Sequence, residues 1–599
     1  MKKNLLLTAL EGMNAKVFFL MLFLYQIIFI FQGLDFSDEG FYVVFYQQIF
    51  RDPQSVMFNF MYWLIGIVGG AFVYVFPQSG LLGIRLLGVI ITTSTIILAY
   101  NLLKKHISIF HLRLALLLII ILISNDPKEL NYDNLSMLLF VASVVLLFGG
   151  LQENKLSKIL FGGALVGLNC FTRVTNILGL SLALGIMYYG YMNRSTSKYV
   201  IKQIVIFLGG FLFTVFAILL IMKLINHLKP FIDSVGIVFH MGMDKDSDHN
   251  FKYLLFNFFK KYFLSACYFA VIFVFGVAAT LANNFLRSKK KFNIKNLYTI
   301  LLFCFFVVVC YLTVIGRIKW VMLLFFMMGF TVTATLLIIA NHQNKNIKLL
   351  TFFGILILFF YPAGSDEFVE MFSLWIAFPI ALDYFFSVKK IDNILSVTRM
   401  GQQQSIALFI DEVQINQLKK IFIYTSIFIG LYYTYYYPYF NINNRITMQF
   451  TVENKYLKAI YTNKERADVV NELLKESAKY VKKNDYVLAY DCIPMFHYLT
   501  ETRPFMYNPW PGAYLPDAFQ NKLQESLLEK NKLPVVIIQK LNMLNSNWPE
   551  NTKEIDSGNT ETQRRNTCMI NFLKTHHYRK VWENVAFEIL LPDVSNIGY

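Results

Sequence analysis

Of the 599 residues, 56% are hydrophobic and only 16% charged, and the mean hydropathy is +0.48; a soluble chain runs at roughly 45–50% apolar and about 25% charged. A soluble enzyme and a disordered scaffold are thereby excluded, and 59 Phe and 35 Tyr against 15 Pro exclude a collagenous or proline-rich chain. The net charge of +17 would suggest nucleic acid as a partner of a soluble protein, but in a membrane chain the first account is the excess of lysine and arginine in cytoplasmic loops.

A helix crossing the hydrocarbon core needs about 20 mostly apolar residues, because each backbone N–H and C=O must find its partner within the segment. Thirteen stretches qualify, near 17–34, 86–103, 107–124, 135–151, 158–172, 174–192, 203–222, 262–286, 297–316, 320–340, 349–364, 369–388 and 421–439. The first is too long and too aromatic for a cleavable signal peptide, and Gly33-Leu34-Asp35 offers no small-x-small exit. A further apolar stretch, Phe60 to Pro77, is expected to lie at the outer interface, with Gly69 and Gly70 weakening it as a regular helix. Reading it so puts Lys104/Lys105, Lys155/Lys158, Arg194/Lys198/Lys202, Arg287 to Lys295, Lys345/Lys348 and Lys389 to Lys420 on the side of Lys2/Lys3, the cytoplasm. Counting it as a full span reverses every one of those loops from the second onward. The basic charge is explained without nucleic acid.

The first outer loop, 34–85, opens on Asp35-Phe36-Ser37-Asp38-Glu39-Gly40-Phe41-Tyr42. Carboxylates near an apolar slab have raised pKa values and serve as general bases, or in company hold a divalent cation. The plainer reading is a solvated collar at a helix exit. In the second outer loop, Asp133 and Asn134 stand at the start of the fourth span, where the backbone dipole favours a carboxylate. Capping alone explains Asp133; a second polar wall of the same cavity is the functional alternative. Arg173, in the outer turn Thr172-Arg173-Val174-Thr175-Asn176, defies the charge bias, as do Arg317 and Lys319 in Gly316-Arg317-Ile318-Lys319-Trp320. Lys229, His240, Lys245 and His249 of the long outer loop do the same. Such cations either snorkel to lipid phosphate or bind an anionic ligand such as a phosphate leaving group. A last outer turn, Pro362-Ala363-Gly364-Ser365-Asp366-Glu367, again joins glycine to carboxylates, with capping the simpler account.

The same parity sends the chain beyond residue 440 outside. Residues 441–599 have ordinary soluble composition, with an amphipathic helix around Glu465 to Val481 and strands at 486–490, 534–538 and 586–590. Helix alternating with strand predicts a small C-terminal α/β domain after a polytopic all-α membrane domain of about 13 spans over 1–440. Of the six cysteines, only Cys492 and Cys568 lie in that domain, and their spacing supports no particular bridge. No CxxC, HExxH or paired-histidine spacing suggests structural zinc, and no P-loop suggests an ATP-driven pump.

The acidic pair Asp38-Glu39 followed by an aromatic, then Tyr62-Trp63-Leu64, then Arg85-Leu86-Leu87 opening the next span, resembles the GT-C superfamily of integral membrane glycosyltransferases, particularly its protein O-mannosyltransferase and aminoarabinose transferase branch. The layout extends over nearly the whole chain, through Tyr132-Asp133-Asn134, Thr172-Arg173 and the outer domain with Val487 to Pro494, Arg503-Pro504 and Asn508-Pro509-Trp510-Pro511. The resemblance implies a polyprenyl-phosphate sugar donor, an extracytoplasmic acceptor that is a glycan, lipid or protein, and a place in a bacterial inner membrane. It maps the catalytic carboxylate onto Asp38, with Glu39 in support, and makes Tyr42, Arg85, Asp133, Arg173, Arg317 and Lys319 the expected substrate-binding residues. The aminoarabinose branch carries a basic residue three positions after its Glu-like position and a Lys-Pro-Pro in the interfacial stretch. Here Phe41-Tyr42 and Met57-Phe58-Asn59-Phe60 stand instead, so the donor phosphate must rely on other residues. The competing expectations are a polymerase or ligase of lipid-linked oligosaccharides and, from another class, a transporter or flippase. The latter needs broken helices or midplane charge, whereas the clearest intramembrane acid, Asp383, lies close to a cytoplasmic end.

Overall fold

Apolar runs of this length have one way to satisfy their backbone in lipid, and the computed structural model of the chain is accordingly mostly helical. It describes residues 10–125, 128–244, 247, 250–288, 297–364, 369–389, 391–399, 402–410, 412–437, 444–544, 548–550 and 560–593. In chain order come α1 (Ala15–Ile27), α2 (Asp38–Gln48), a 3-10 stretch Pro53–Tyr62 running into α3 (Trp63–Val75), α4 (Gly80–Leu103), α5 (Ile109–Leu122), α6 (Tyr132–Glu153) and α7 (Leu156–Asn169). A second 3-10 stretch, Val174–Leu182, leads into α8 (Ala183–Met192). There follow α9 (Ser197–Leu224), α10 (Leu228–Met243), α11 (Phe251–Ser288), α12 (Leu297–Val314), α13 (Trp320–Asn341), α14 (Lys345–Phe360) and α15 (Leu374–Ser387). A hairpin of β1 (Ile391–Arg399) and β2 (Gln402–Ile410), paired in register from Ile391↔Ile410 to Arg399↔Gln402, separates these from α16 (Glu412–Tyr436). No strand was expected there.

Among the described residues, seven helical stretches are long and apolar enough to cross a membrane: Pro53–Val75, Gly80–Leu103, Tyr132–Glu153, Val174–Met192, Ser197–Leu224, Phe251–Leu281 and Trp320–Asn341. Ala15–Ile27, Ile109–Leu122, Leu156–Asn169, Tyr298–Val314 and Met371–Ser387 are shorter apolar helices. Side-chain contacts sort the connections to two ends of the bundle. At one end, Arg113 donates to the Leu10 carbonyl (2.6 Å), His111 pairs with Asp383 (2.7 Å), Lys419 donates to the Phe386 and Val388 carbonyls, and Lys345 reaches Asn193 (3.1 Å). At the other, Tyr46 donates to the Leu130 carbonyl (2.5 Å), the Leu64 amide to that of Phe171 (2.7 Å), Trp320 to that of Leu122 (3.2 Å) and Tyr433 to that of Ile318 (2.6 Å).

The stretch Pro53–Val75 starts and finishes at this second end despite its length. Asp52, just before it, accepts from Tyr486 (2.6 Å) and Arg503 (3.3 Å) of the C-terminal region, and Gly80, just after it, abuts the Tyr456 carbonyl. Its glycines do not weaken the helix as expected. α3 is a regular α-helix in which Gly66, Gly69 and Gly70 leave room for the rings of Phe45, Tyr46 and Phe50 and the side chain of Ile49 on α2. Small residues here serve close approach rather than flexibility.

The C-terminal region is a five-stranded mixed sheet in the order β6-β5-β7-β9-β8. Beyond a two-residue ribbon of β3 (Phe450–Thr451) and β4 (Tyr461–Thr462), α17 (Lys464–Ser477) precedes β5 (Tyr486–Tyr490), and α18 (Met495–Thr500) precedes β6 (Arg503–Pro504). α19 (Pro516–Lys530), β7 (Val535–Gln539), α20 (Thr560–Thr575), β8 (Tyr578–Glu583) and β9 (Phe587–Pro592) complete it. β5 runs parallel to β6 and β7, while β9 runs antiparallel to β7 and β8. The three expected strands are found within a residue or two and the amphipathic helix ends four residues earlier than expected, whereas β8 escaped notice because it is partly exposed and carries charges. Cys492 and Cys568 are free thiols.

One hydrophobic core joins this sheet to the segment between α1 and α4: Leu34, Phe36, Val43, Val44, Phe45 and Phe60 pack in the same cluster as Val487, Leu488, Phe496, Val536 and Phe587. Phe36 meets Trp548 and Phe587 with ring centroids 5.3 and 5.7 Å apart. A second core fills the helical bundle.

Candidate functional site

Helix α2 begins where Asp35 turns the chain: its Oδ1 accepts from the Ser37 amide (3.0 Å) and hydroxyl (2.7 Å), and its Oδ2 from the Glu39 amide (2.9 Å). A carboxylate on orphan first-turn amides is the ordinary way to start a helix, so Asp35 is spent on structure. The next two acids then point apart, as successive helical positions must. Glu39 is fully buried and forms a two-pronged ion pair with Arg85, Nε–Oε1 at 2.6 Å and Nη2–Oε2 at 2.7 Å. Arg85 donates its remaining N–H groups to the carbonyls of Ile30 (2.8 Å), Gln32 (3.3 Å) and Gly33 (2.8 Å). All five guanidinium donors are thus used. That corrects the substrate-binding role expected of Arg85: with no N–H left for a phosphate, it fixes Glu39 and the chain leaving α1.

Asp38 is half-buried at the same helix start. One turn on is Tyr42, buried, whose phenol is pushed well up by burial and by Tyr132, Tyr62, Asp38 and Asp133 around it. The Tyr42 hydroxyl therefore remains a proton donor at neutral pH. Tyr62 and Tyr132 stack with ring centroids 5.0 Å apart and planes 10° from parallel, and Tyr42 meets the edge of Tyr132 at 6.2 Å. Arg173 lies over Tyr132 at 5.1 Å and over Tyr361 at 5.7 Å. Tyr361 donates to the Asp133 carboxylate. Asp38, Tyr42, Asp133 and Arg173, four residues dispersed over more than a hundred positions, are therefore brought together around a tyrosine cluster, with Tyr361 of the turn after α14 as a fifth member.

Asp133 is not the helix cap. That is Asn131, whose Oδ1 accepts from the amides of Asp133 and Asn134 (both 3.1 Å), with Asn134 returning the favour to the Asn131 amide (3.3 Å). Freed from capping, the Asp133 carboxylate faces Tyr361. The turn carrying Arg173 is held by Asn176, which donates to the Ser136 hydroxyl (2.6 Å) and to Asn169, and by Asn169, which donates to the Ser136 carbonyl (3.1 Å). Arg173 itself is 6% exposed, and its Nη1 has no hydrogen-bond partner. A buried guanidinium nitrogen left unpaired is costly unless something anionic or polar fills the place.

Arg317 and Lys319 are not part of this cluster. They stand exposed on the turn between α12 and α13, where Gly316 at φ +73° reverses the chain and leaves both charges in solvent. Lys229 and His240 are likewise exposed, on α10. Lys245, His249 and the acids of Ser365-Asp366-Glu367 lie outside the described residues. Among the described residues no group of three or more His, Cys, Asp or Glu side chains is arranged to hold a metal ion. A small, mostly apolar cavity lies between α11, α13 and Met371, bordered by Lys261, Ser265, Leu324 and Met328, and does not include Asp38.

Sequence reasoning met Tyr62 and Tyr132 only within the stretches that carry the resemblance and gave them no site role, and it missed Tyr361 and also Glu129. The last is 1% exposed with its Oε2 unpaired, and burial together with Glu39 pushes its carboxyl well up. Among 35 tyrosines nothing in the sequence marks Tyr361; the signal for Glu129 was its place two residues before the Asn131 cap. No protein-family model matches this chain, and no curated protein matches it either.

Proposed function

We propose that the chain is an integral membrane glycosyltransferase of the GT-C type. It crosses a bacterial inner membrane thirteen times, with its N-terminus in the cytoplasm and its C-terminal domain outside, and moves a sugar from a polyprenyl-phosphate carrier to an extracytoplasmic glycan, lipid or protein. The observation that carries this reading is the gathering, around one tyrosine cluster, of a half-buried Asp38 and a buried arginine whose Nη1 is unpaired. Asp38 takes the proton from an acceptor hydroxyl as its oxygen attacks the anomeric carbon. The bond from that carbon to the carrier phosphate breaks with inversion, and the leaving phosphate takes the electron pair. Arg173 meets the charge that develops on it. The protonated Tyr42 and Tyr361 hydroxyls line the path between, and Asp133 holds Tyr361 in place. Glu39 and Arg85 set the angle at which α2 presents Asp38.

The test is transfer from a polyprenyl-phosphate sugar in proteoliposomes. Asp38→Asn is expected to lower turnover by about 10²–10⁴-fold, the usual contribution of a general base, with expression and melting unchanged. Arg173→Gln is expected to weaken donor binding and turnover together. Full activity in Asp38→Asn removes the proposed base.

A further inference from the structure

In an open sheet with parallel strands, ligands gather beyond the carboxyl ends of those strands, where the connections diverge. Here that place is the end of β5 and β7. Asp491 follows β5 directly, and Gln539 at the end of β7 accepts from the Cys492 amide (2.9 Å). The loop Asn508–Gly512 folds back over it: the Gly512 amide donates to the Asp491 carbonyl (3.3 Å), and a side chain at 512 would collide with the Asp491 carboxylate. Arg565 of α20 completes the group; its Nη1 lies 3.9 Å from Glu561 and donates to the Tyr514 carbonyl (3.4 Å), and its Nη2 to Thr562 (3.1 Å).

Three polar atoms in this group have no hydrogen-bond partner: Asp491 Oδ1, Asn508 Nδ2 and Arg565 Nε. Asn508 is fully buried and Arg565 is 9% exposed. A buried polar atom without a partner is costly, and three around one strand end offer an acceptor and two donors to a polar ligand. Burial pushes the Asp491 carboxyl up, with Arg565 acting against the shift.

The group adjoins the site described above. The Met495 amide, at the start of α18, donates to the Phe36 carbonyl (3.1 Å), and Gly40 lies so close to Met495 that any side chain at 40 would collide with its backbone. Burial pushes the Cys492 thiol up, and the carboxylates of Asp491, Asp38 and Asp35 act in the same direction. Trp510, half-exposed, meets Phe41 edge-on at 6.3 Å, one residue from Tyr42.

We infer that the carboxyl end of β5 is a carbohydrate-binding site, formed by Asp491, Asn508, Arg565 and the Trp510 ring, which seats a hydroxyl-rich acceptor against Asp38. A sugar supplies what the unpaired atoms lack: one hydroxyl donates to Asp491 Oδ1, its neighbours accept from Asn508 Nδ2 and Arg565 Nε, and a C–H face lies on the indole. The word acceptor rests on the transfer reaction proposed above; the binding of sugar does not.

The experiment presents the full chain, in lipid nanodiscs, to a printed array of neutral and acidic oligosaccharides. Binding of at least one oligosaccharide class is expected, weakened tenfold or more in Asp491→Asn and Trp510→Ala and retained in Asp38→Asn. Trp510 is half-exposed, so its variant keeps the test valid if Asp491→Asn fails to fold, which a melting curve reveals. No binding to any oligosaccharide overturns the inference, as does binding that the Trp510 variant leaves unchanged. Retained binding with an active Asp38→Asn enzyme instead overturns the proposed base and leaves the sugar site standing.

Discussion

A buried ion pair and a buried neutral histidine set the residue-scale expectations. Glu39 and Arg85 are each less than 5% exposed and satisfy one another, so removing one partner strands the other's charge. Glu39→Ala is expected to destabilise the protein by about 3–5 kcal/mol, read as a lowered unfolding midpoint in detergent, whereas Asp38→Asn stays within about 0.5 kcal/mol. An equal loss in both variants would mean that Asp38 is also structural. His497 makes the opposite case. It is 1% exposed, its Nδ1 is hydrogen-bonded to the Thr502 hydroxyl (2.9 Å), and burial lowers its pKa from 6.5 to about 3. The folded protein keeps this imidazole neutral. Below pH 6.5 the unfolded chain takes up a proton that the folded chain refuses until about pH 3, so stability falls by about 1.4 kcal/mol for each unit of acidification across that window. Denaturation midpoints from pH 7 to 4 are expected to fall less steeply in His497→Gln; identical slopes would rule out His497 as the cause.

At the scale of elements, α2 is gripped from both sides. α3 lays its three glycines against the α2 rings, and α18 presses on Gly40 from the C-terminal region. A Cβ at Gly69 would stand 2.5 Å from the Tyr46 ring. Gly69→Val is therefore expected to cost about 1–3 kcal/mol through overpacking and to lower transfer by displacing the helix that carries Asp38. Gly209, with nothing near its Cβ position, is the control: Gly209→Ala is expected to be neutral or slightly stabilising, since alanine raises helix propensity. Thermal unfolding of the two variants, side by side with activity, separates the cases.

For the whole molecule, the shared core makes the C-terminal region dependent on the segment between α1 and α4. Arg466, fully buried, donates to the Leu34 carbonyl (2.9 Å) and to that of Trp548, on whose ring it stacks at 4.2 Å. The Gly33 amide donates to the Tyr461 carbonyl, and the Tyr461 amide to that of Phe31. Expressed alone, residues 444–593 would expose Val487, Phe496, Val536 and Phe587 where Leu34, Phe36 and Phe45 now cover them. Such a fragment is expected to aggregate or to lack a cooperative unfolding transition, and a soluble, sharply melting fragment would show the core to be divisible.

The run of apolar helices and the strands of the C-terminal region were legible in the sequence, because hydrophobic run length and short β-branched, apolar runs between polar turns are local properties of the chain. So was the acidic opening of α2. Which acid does what was not: Asp38 and Glu39 are adjacent and chemically alike, and only the arrival of Arg85 from α4 consumes one of them. In the same way Arg173 and Arg317 read alike as cations against the charge bias. Packing buries the first among tyrosines from three distant segments and leaves the second in solvent. Electrostatics and desolvation act through space between residues dozens to hundreds of positions apart, so the roles of those residues are decided by tertiary structure, while the local run of residues decides only that they lie near the ends of apolar stretches.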